Sequence, residues 1–232
     1  MAPSIRIPFA ALALFFALIA AAAPASAAPK FSVRLSDNSL ALSLVTNAPA
    51  TGGLANVSRI AITLAPGIRL GSVGKTCARA TVERAPLKCP AASKIGLGKA
   101  RWAAYNRYVP KIAQRIDPTS LITAFNGIDG EVLLALPVTR PLPETILLSG
   151  RVERTGNISR LVITVPMTLI AGYDFTPAYL ELQLGGPGAA GYVSRSGNCP
   201  TAGRPFTVEL RYRANAEGAW PRPQQAVAKA AC

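Results

Sequence analysis

Five cations and no acid fall between Lys99 and Arg115, namely Lys99, Arg101, Arg107, Lys111 and Arg115, with Trp102, Tyr105 and Tyr108 set among them. Residues of these types have a definite chemistry when they share a surface. Guanidinium and ammonium groups hold phosphate, sulfate or uronate, while an exposed aromatic ring stacks on a sugar or a base. The plainer arrangement puts Trp102 and one tyrosine in the core and leaves the cations as a solvated face. Arg211 and Arg213 share one side of an expected strand, and Arg151, Arg154 and Arg160 flank the turn at Gly156. Both sets would widen a basic surface if they fold nearby.

Catalytic groupings fare worse. The chain has no histidine, which removes the Ser-His-Asp and Cys-His arrangements. Gly186, Gly188 and Gly191 fit G-x-G-x-x-G, with Glu209 at a suitable distance beyond. A dinucleotide site needs the third glycine to open a helix whose N-terminus holds the pyrophosphate. Here Tyr192-Val193-Ser194 follows, with no helical pattern, so no nucleotide cofactor is expected. Ser72 and Lys75 fit S-x-x-K and Ser36-Asp37-Asn38 spells S-D-N, but their order is reversed from that of the serine acylases, and Lys75-Thr76-Cys77 is no K-T-G. Asp129 and Glu131 lie two apart and on a strand would share one face, the minimum for a glycosidase-like carboxylate pair. A solvated strand entrance after Gly127 is the better explanation, since eleven acids make chance pairs common.

The N-terminus describes where such a surface would act. Arg6 is followed by an apolar run from Ile7 to Ala23 and by the small residues Ala25-Ser26-Ala27. These are the three parts of a secretory signal peptide, residues 1–27, with cleavage after Ala27. The run is shorter than a membrane span needs. Cleavage removes Arg6 and no acid, leaving 24 Lys and Arg against 11 Asp and Glu, a net charge of +13. In an oxidising compartment, the four cysteines Cys77, Cys89, Cys199 and Cys232 read as two disulfides. Three connectivities are open; pairing within local segments gives Cys77–Cys89 and Cys199–Cys232. Zinc is disfavoured, because there is no C-x-x-C and no histidine, and no metal site is expected.

The elements that must carry these residues are short β-rich runs punctuated by Gly, Pro and Asn. Residues 31–36 and 39–45 alternate about an Asp37-Asn38 turn. Further strands are expected at 58–64, 100–105, 121–125, 131–136, 145–153, 161–168, 180–184, 206–213 and 226–230. Gly185 to Gly191 reads as a flexible loop. No window outside the signal peptide has a helical period. The expected fold is all-β, an antiparallel β-sandwich of Ig-like or jelly-roll-like type, in one domain over residues 28–232, with two lobes divided near 110–120 as the variant.

The order Ala65-Pro66-Gly67, Cys77, Cys89-Pro90, Ser93, Ile95-Gly96, Gly98, Ala100, Phe125-Asn126-Gly127, Val165-Pro166, Asn198-Cys199-Pro200, Arg204-Pro205-Phe206 and a terminal cysteine resembles a family of uncharacterised exported all-β proteins of actinobacteria. The resemblance spans most of residues 60–232. It implies an all-β fold and an extracytoplasmic address, and it brings no catalytic residues to transfer. Within that pattern, Arg101–Pro118 is unusually basic.

Together these readings give a secreted, non-enzymatic protein of the cell surface without a cofactor. It would bind an anionic wall polymer or lipid headgroups through Lys99, Arg101, Trp102, Tyr105, Arg107, Tyr108, Lys111 and Arg115. Nucleic acid would satisfy the charge but is not what an exported protein usually meets. A polysaccharide-active enzyme using Asp129 or Glu131, and a purely structural envelope protein, are the alternatives.

Overall fold

Leu40, Leu42 and Leu44 alternate with Ser39, Ala41 and Ser43, so an extended chain there must place three leucines on one side. The same logic operates along most of the molecule. The computed structural model describes residues 28–46, 56–71, 74–106, 108, 115–198, 200–213 and 222–231. In chain order its elements are β1 (Lys30–Leu35), β2 (Ser39–Val45), β3 (Val57–Thr63), β4 (Ile68–Leu70), α1 (Arg79–Arg84), β5 (Lys94–Asn106), β6 (Arg115–Ile116), β7 (Thr119–Asn126) and β8 (Glu131–Val138). They continue with β9 (Glu144–Thr155), β10 (Ile158–Thr164), β11 (Thr168–Ile170), β12 (Tyr173–Gly185), β13 (Val193–Arg195), β14 (Arg204–Tyr212) and β15 (Gln224–Ala230).

Eleven strands follow one another by hydrogen bonding in the order β1-β2-β12-β5-β7-β8-β9-β10-β3-β14-β15, and β6 and β11 attach to β5 and β12. Every pairing is antiparallel. The sheet curls until β1 and β15 lie side by side, nearly closing a barrel. An odd number of alternating strands brings the first and last into the same direction, so this seam is parallel. No ladder joins β1 to β15 among the described residues. The antiparallel all-β expectation holds. The hydrogen bonding runs through one continuous sheet, however, and is not divided between the two sheets of a sandwich. Strands on both sides of residues 110–120 pair with each other in that sheet and feed one apolar core.

The core fills the inside of the roll. Leu40, Leu42 and Leu44 of β2 meet Leu180, Leu182 and Leu184 of β12, with Trp102, Leu134, Leu148, Ile163, Ile60 and Val208 from successive strands. A bulge in β12 makes this possible along its whole length. The register against β5 shifts between Pro177 and Tyr179, so Ala178 is an extra residue and the alternation changes phase. Phe175 therefore faces inward with Leu180, and it meets Trp102 edge-on at 6.2 Å between ring centroids. One end of the roll is plugged by the β4–β13 ribbon, whose Ile68, Leu70 and Val193, with the adjacent Tyr192, are all buried. Arg154 ties that plug down by donating to the Leu70 carbonyl at 2.7 Å. The glycine-rich segment before β13 is a connection, as expected, and contains a short 3₁₀ turn over Pro187–Ala189 with Ala189 buried.

A second, smaller core lies outside the roll. β8 is apolar on both faces, Val132, Leu134 and Leu136 pointing in and Leu133 and Ala135 pointing out. The outward pair is covered by the segment between Cys77 and Cys89, which are disulfide-bonded. Val82 of α1 packs with both cysteines on Phe125, Leu133 and Leu147. The sequence reading assigned no helix here; α1 has a single buried residue, too short a stretch to show a helical period. Cys199 and Cys232, the second expected pair, lie outside the described residues, as does the whole of residues 1–27.

Candidate functional site

The register decides which side chains stand beside Lys99 and Arg101. β5 pairs with β12, β12 with β2, and β2 with β1. One outward row across these strands reads Arg101, Tyr179, Val45, Lys30, and the next reads Lys99, Glu181, Ser43, Ser32. The row beyond holds Leu97, Gln183, Ala41 and Arg34. Strands are spaced by about 4.8 Å, so Lys30 and Arg101, three strands apart, stand about 14 Å from one another. Lys30, Arg34, Lys99 and Arg101 are all exposed, and Glu181 is the one carboxylate in these rows.

Glu181 is already engaged. It accepts from Lys99 Nζ at 3.1 Å and from the Tyr179 hydroxyl at 2.5 Å. The tyrosine bond, followed by that of Lys99, holds its carboxyl below the usual range. The same bond to Glu181 raises Lys99. Arg101, Lys30 and Arg34 form no ion pair among the described residues. This strand face therefore carries three further exposed cations, Lys30, Arg34 and Arg101, around the Lys99–Glu181 pair, with Arg34 near enough to help lower Glu181.

The aromatic part of the expected site is distributed differently. Trp102 is 1% exposed and donates from its indole N–H to Ser120 Oγ at 3.1 Å. Tyr105 is buried with Ala103 and Ala178. Neither ring offers a face to a ligand. Tyr108 is exposed, its ring lying against Gly172, where a Cβ would come within 2.9 Å of the ring edge. Arg107 and Lys111 lie outside the described residues. Arg115 begins β6 opposite Tyr105, and its side chain is not among those described. The structure thus brings Lys99 and Arg101 together with Lys30 and Arg34, two residues that sequence reasoning missed. Their alternation in β1 was visible; that β1 lies three strands from β5 was not, because β12 intervenes from far along the chain.

The remaining expected cations do not extend this face. On the opposite wall, Arg160 and Arg211 bind Glu209 at 3.4 and 2.7 Å, and Arg59 meets Glu153 at 3.7 Å. Arg213 is committed to the Val165 carbonyl at 2.6 Å, and burial lowers its pKa. Arg151 shares a cleft with Glu131 and Glu153, a balanced surface in place of a basic one. Asp129 and Glu131 do not converge on one cleft: Glu131 pairs with Arg79 at 3.2 Å, and Asp129 lines a separate depression beside Arg154. Among the described residues no cluster of His, Cys, Asp and Glu is arranged to hold a metal ion.

No family model, curated protein or solved structure matches this chain.

One convergence is independent of the basic face. Ala65-Pro66-Gly67, Asn198 and Pro200, and Arg204-Pro205, which are far apart in sequence, meet in one place. Arg204, 5% exposed, is its centre. Its Nη1 donates to the Pro66 carbonyl at 2.7 Å, and its Nη2 to those of Ser196, Gly197 and Asn198 at 3.0, 2.8 and 3.3 Å. Gly67, at φ +81°, lies so close that a Cβ would come 2.4 Å from the Ser196 oxygen. In the sequence Arg204 stood out only as part of the Arg204-Pro205-Phe206 motif; its burial and its four carbonyl partners come from the fold.

Proposed function

We propose that this is an exported, non-catalytic protein that binds an anionic polymer of the cell envelope through the outer face of β1, β2, β12 and β5. The observation that carries this reading is the charge distribution on that face: Lys30, Arg34 and Arg101 lie around the Lys99–Glu181 pair with no further acid in the rows. Rolled antiparallel sheets expose a flat polar wall of this kind, and a linear polyanion is recognised by spaced point charges, not by an enclosed pocket. Export is supported by the signal-like residues 1–27 and by the Cys77–Cys89 disulfide, a bond at home in oxidising compartments. A flattened, sandwich-like cross-section would suit such a wall.

The test is sedimentation of the purified 28–232 chain with cell-wall material over a salt series. Binding should weaken steadily as salt rises, because each cation engaged releases counterions from the polymer. Binding unchanged by salt, or no binding at low salt, would overturn the reading. Vesicles with anionic headgroups, run in parallel, distinguish a lipid surface from the wall polymer.

A further inference from the structure

We propose that the cleft beside Arg204 binds a carboxylate-bearing sugar unit, at a site separate from the basic strand face. The cleft holds about 420 Å³, within the range of small-molecule sites. Its lining includes the polar side chains of Arg69, Arg204, Asn157 and Asn198 and the rings of Pro66 and Pro200. No Asp or Glu lines it among the described residues.

Its electrostatics favour an anion. A guanidinium as deeply placed as Arg204 ordinarily faces a carboxylate. Here it faces four backbone carbonyls, which use its N–H groups but cancel no net charge, and its Nε has no acceptor among the described residues. Arg69, exposed at the rim, adds a second positive charge with no ion pair among the described residues. Asp37 is committed to Arg195, which directly precedes Ser196. A planar fork such as Arg69 matches a carboxylate with two parallel hydrogen bonds. The side-chain amides and proline rings among its lining residues suit the hydroxyl edge and the apolar face of a pyranose. The cleft is also preformed: Gly67 is pressed against the Ser196 carbonyl, and Arg204 fixes residues 66 and 196–198 together, so little ordering is left for a ligand to drive.

The experiment is an amide NMR titration of the ¹⁵N-labelled 28–232 chain with D-glucuronate, with D-glucose and with inorganic phosphate. Glucuronate should give saturable shifts at Gly67, Ser196, Gly197 and Asn157, while glucose and phosphate give none there. Arg69→Gln, an exposed position that leaves the Arg204 carbonyl bonds in place, should weaken glucuronate binding about tenfold or more, the scale of one charge-assisted pair. Arg140→Gln, in the turn between β8 and β9, should leave it unchanged. The proposal fails if glucuronate produces no saturable shifts at these amides. It fails equally if glucose or phosphate produces the same shifts, or if the Arg69 variant binds as well as the parent chain.

Discussion

Lys99 and Glu181 face each other across β5 and β12 at 3.1 Å, and Arg101, two residues along the same strand, stands opposite Tyr179 with no acid beside it. Glu181 is therefore the control point of the basic face. It pairs directly with Lys99, is lowered further by Arg34, and leaves Arg101 and Lys30 outside any ion pair among the described residues.

Replacing Glu181 with Gln should tighten binding to a polyanion, because Lys99 is released and the face gains one positive charge. The pH dependence follows with a definite sign. The carboxyl of Glu181 is depressed, so its pairing is intact at and above the ordinary carboxylate range and is lost as pH falls through the lowered value. Lys99 is raised, so its side of the pair persists below the ordinary lysine range and is lost as pH rises through the raised value. Polymer binding by the parent chain should strengthen on acidification below the ordinary carboxylate range, and E181Q should lack that increment. Titrating both proteins against a polymer whose own charge is constant in that range checks this. An identical pH response in the two would exclude the role given to Glu181.

Arg101→Ala and Arg34→Ala should each weaken binding and flatten its dependence on salt by about one unit of log–log slope, as expected for one lost phosphate-type contact. Arg211→Ala, whose side chain is already bound to Glu209 on the opposite wall, should leave the slope unaltered. Affinities measured at three or more salt concentrations are sufficient.

Trp102→Phe should lower stability by about 1–3 kcal/mol, since Ser120 loses its partner and the core loses volume. Polymer affinity should not change, because the ring is inside the barrel. A drop in affinity at unchanged stability would return Trp102 to the binding surface. Denaturant unfolding and the salt-series assay separate the two results.

Removing the Cys77–Cys89 bond by a double change to alanine should cost about 3 kcal/mol, the chain-entropy value for so short a closed loop. The loss should appear first as exposure of Phe125, Leu133 and Leu147, which the bridged segment covers. Hydrogen exchange should therefore accelerate in β7 to β9 before it does in β2 or β12.

Gly98→Ala should destabilise by about 1–3 kcal/mol or more, the range for overpacking. A Cβ there would fall 2.1 Å from the Glu181 carbonyl oxygen, so β5 and β12 would have to separate. Because Glu181 sits at that point, the same variant should also disturb the Lys99 pair, visible as a shift of its carboxyl titration toward the ordinary range.

Much of the barrel wall was legible in the sequence because a strand buried on one face announces itself locally. Ser39 to Val45 alternates, and the strand forms where the alternation lies. Phe206 to Tyr212 behaves in the same way. The three-residue strands β4, β11 and β13 were missed, since three residues are too few for a period to show and their place is set by what they plug or pair with. β12 was expected only over its last part. The bulge at Ala178 changes its phase midway, so that Tyr173 to Pro177 reads as irregular until β5 is beside it.

The candidate site divides along the same line. Residue types and charge are properties of the chain: a signal-like N-terminus, a surplus of cations, no histidine, and cysteines close enough in sequence for Cys77 and Cys89 to meet. Alternation along β5 even separates Lys99 and Arg101 from the inward Ala100 and Trp102. Which cations keep their charge uncompensated is another matter, because an ion pair depends on strand order, and strand order joins segments far apart in the chain, as Ser58 and Arg211 show by their 3.1 Å hydrogen bond across a separation of 153. Tertiary structure alone assigned Glu209 to two arginines, Glu181 to one lysine and no acid to Arg204. Local pattern decides which side of a strand a residue occupies; only closure of the sheet decides what stands next to it.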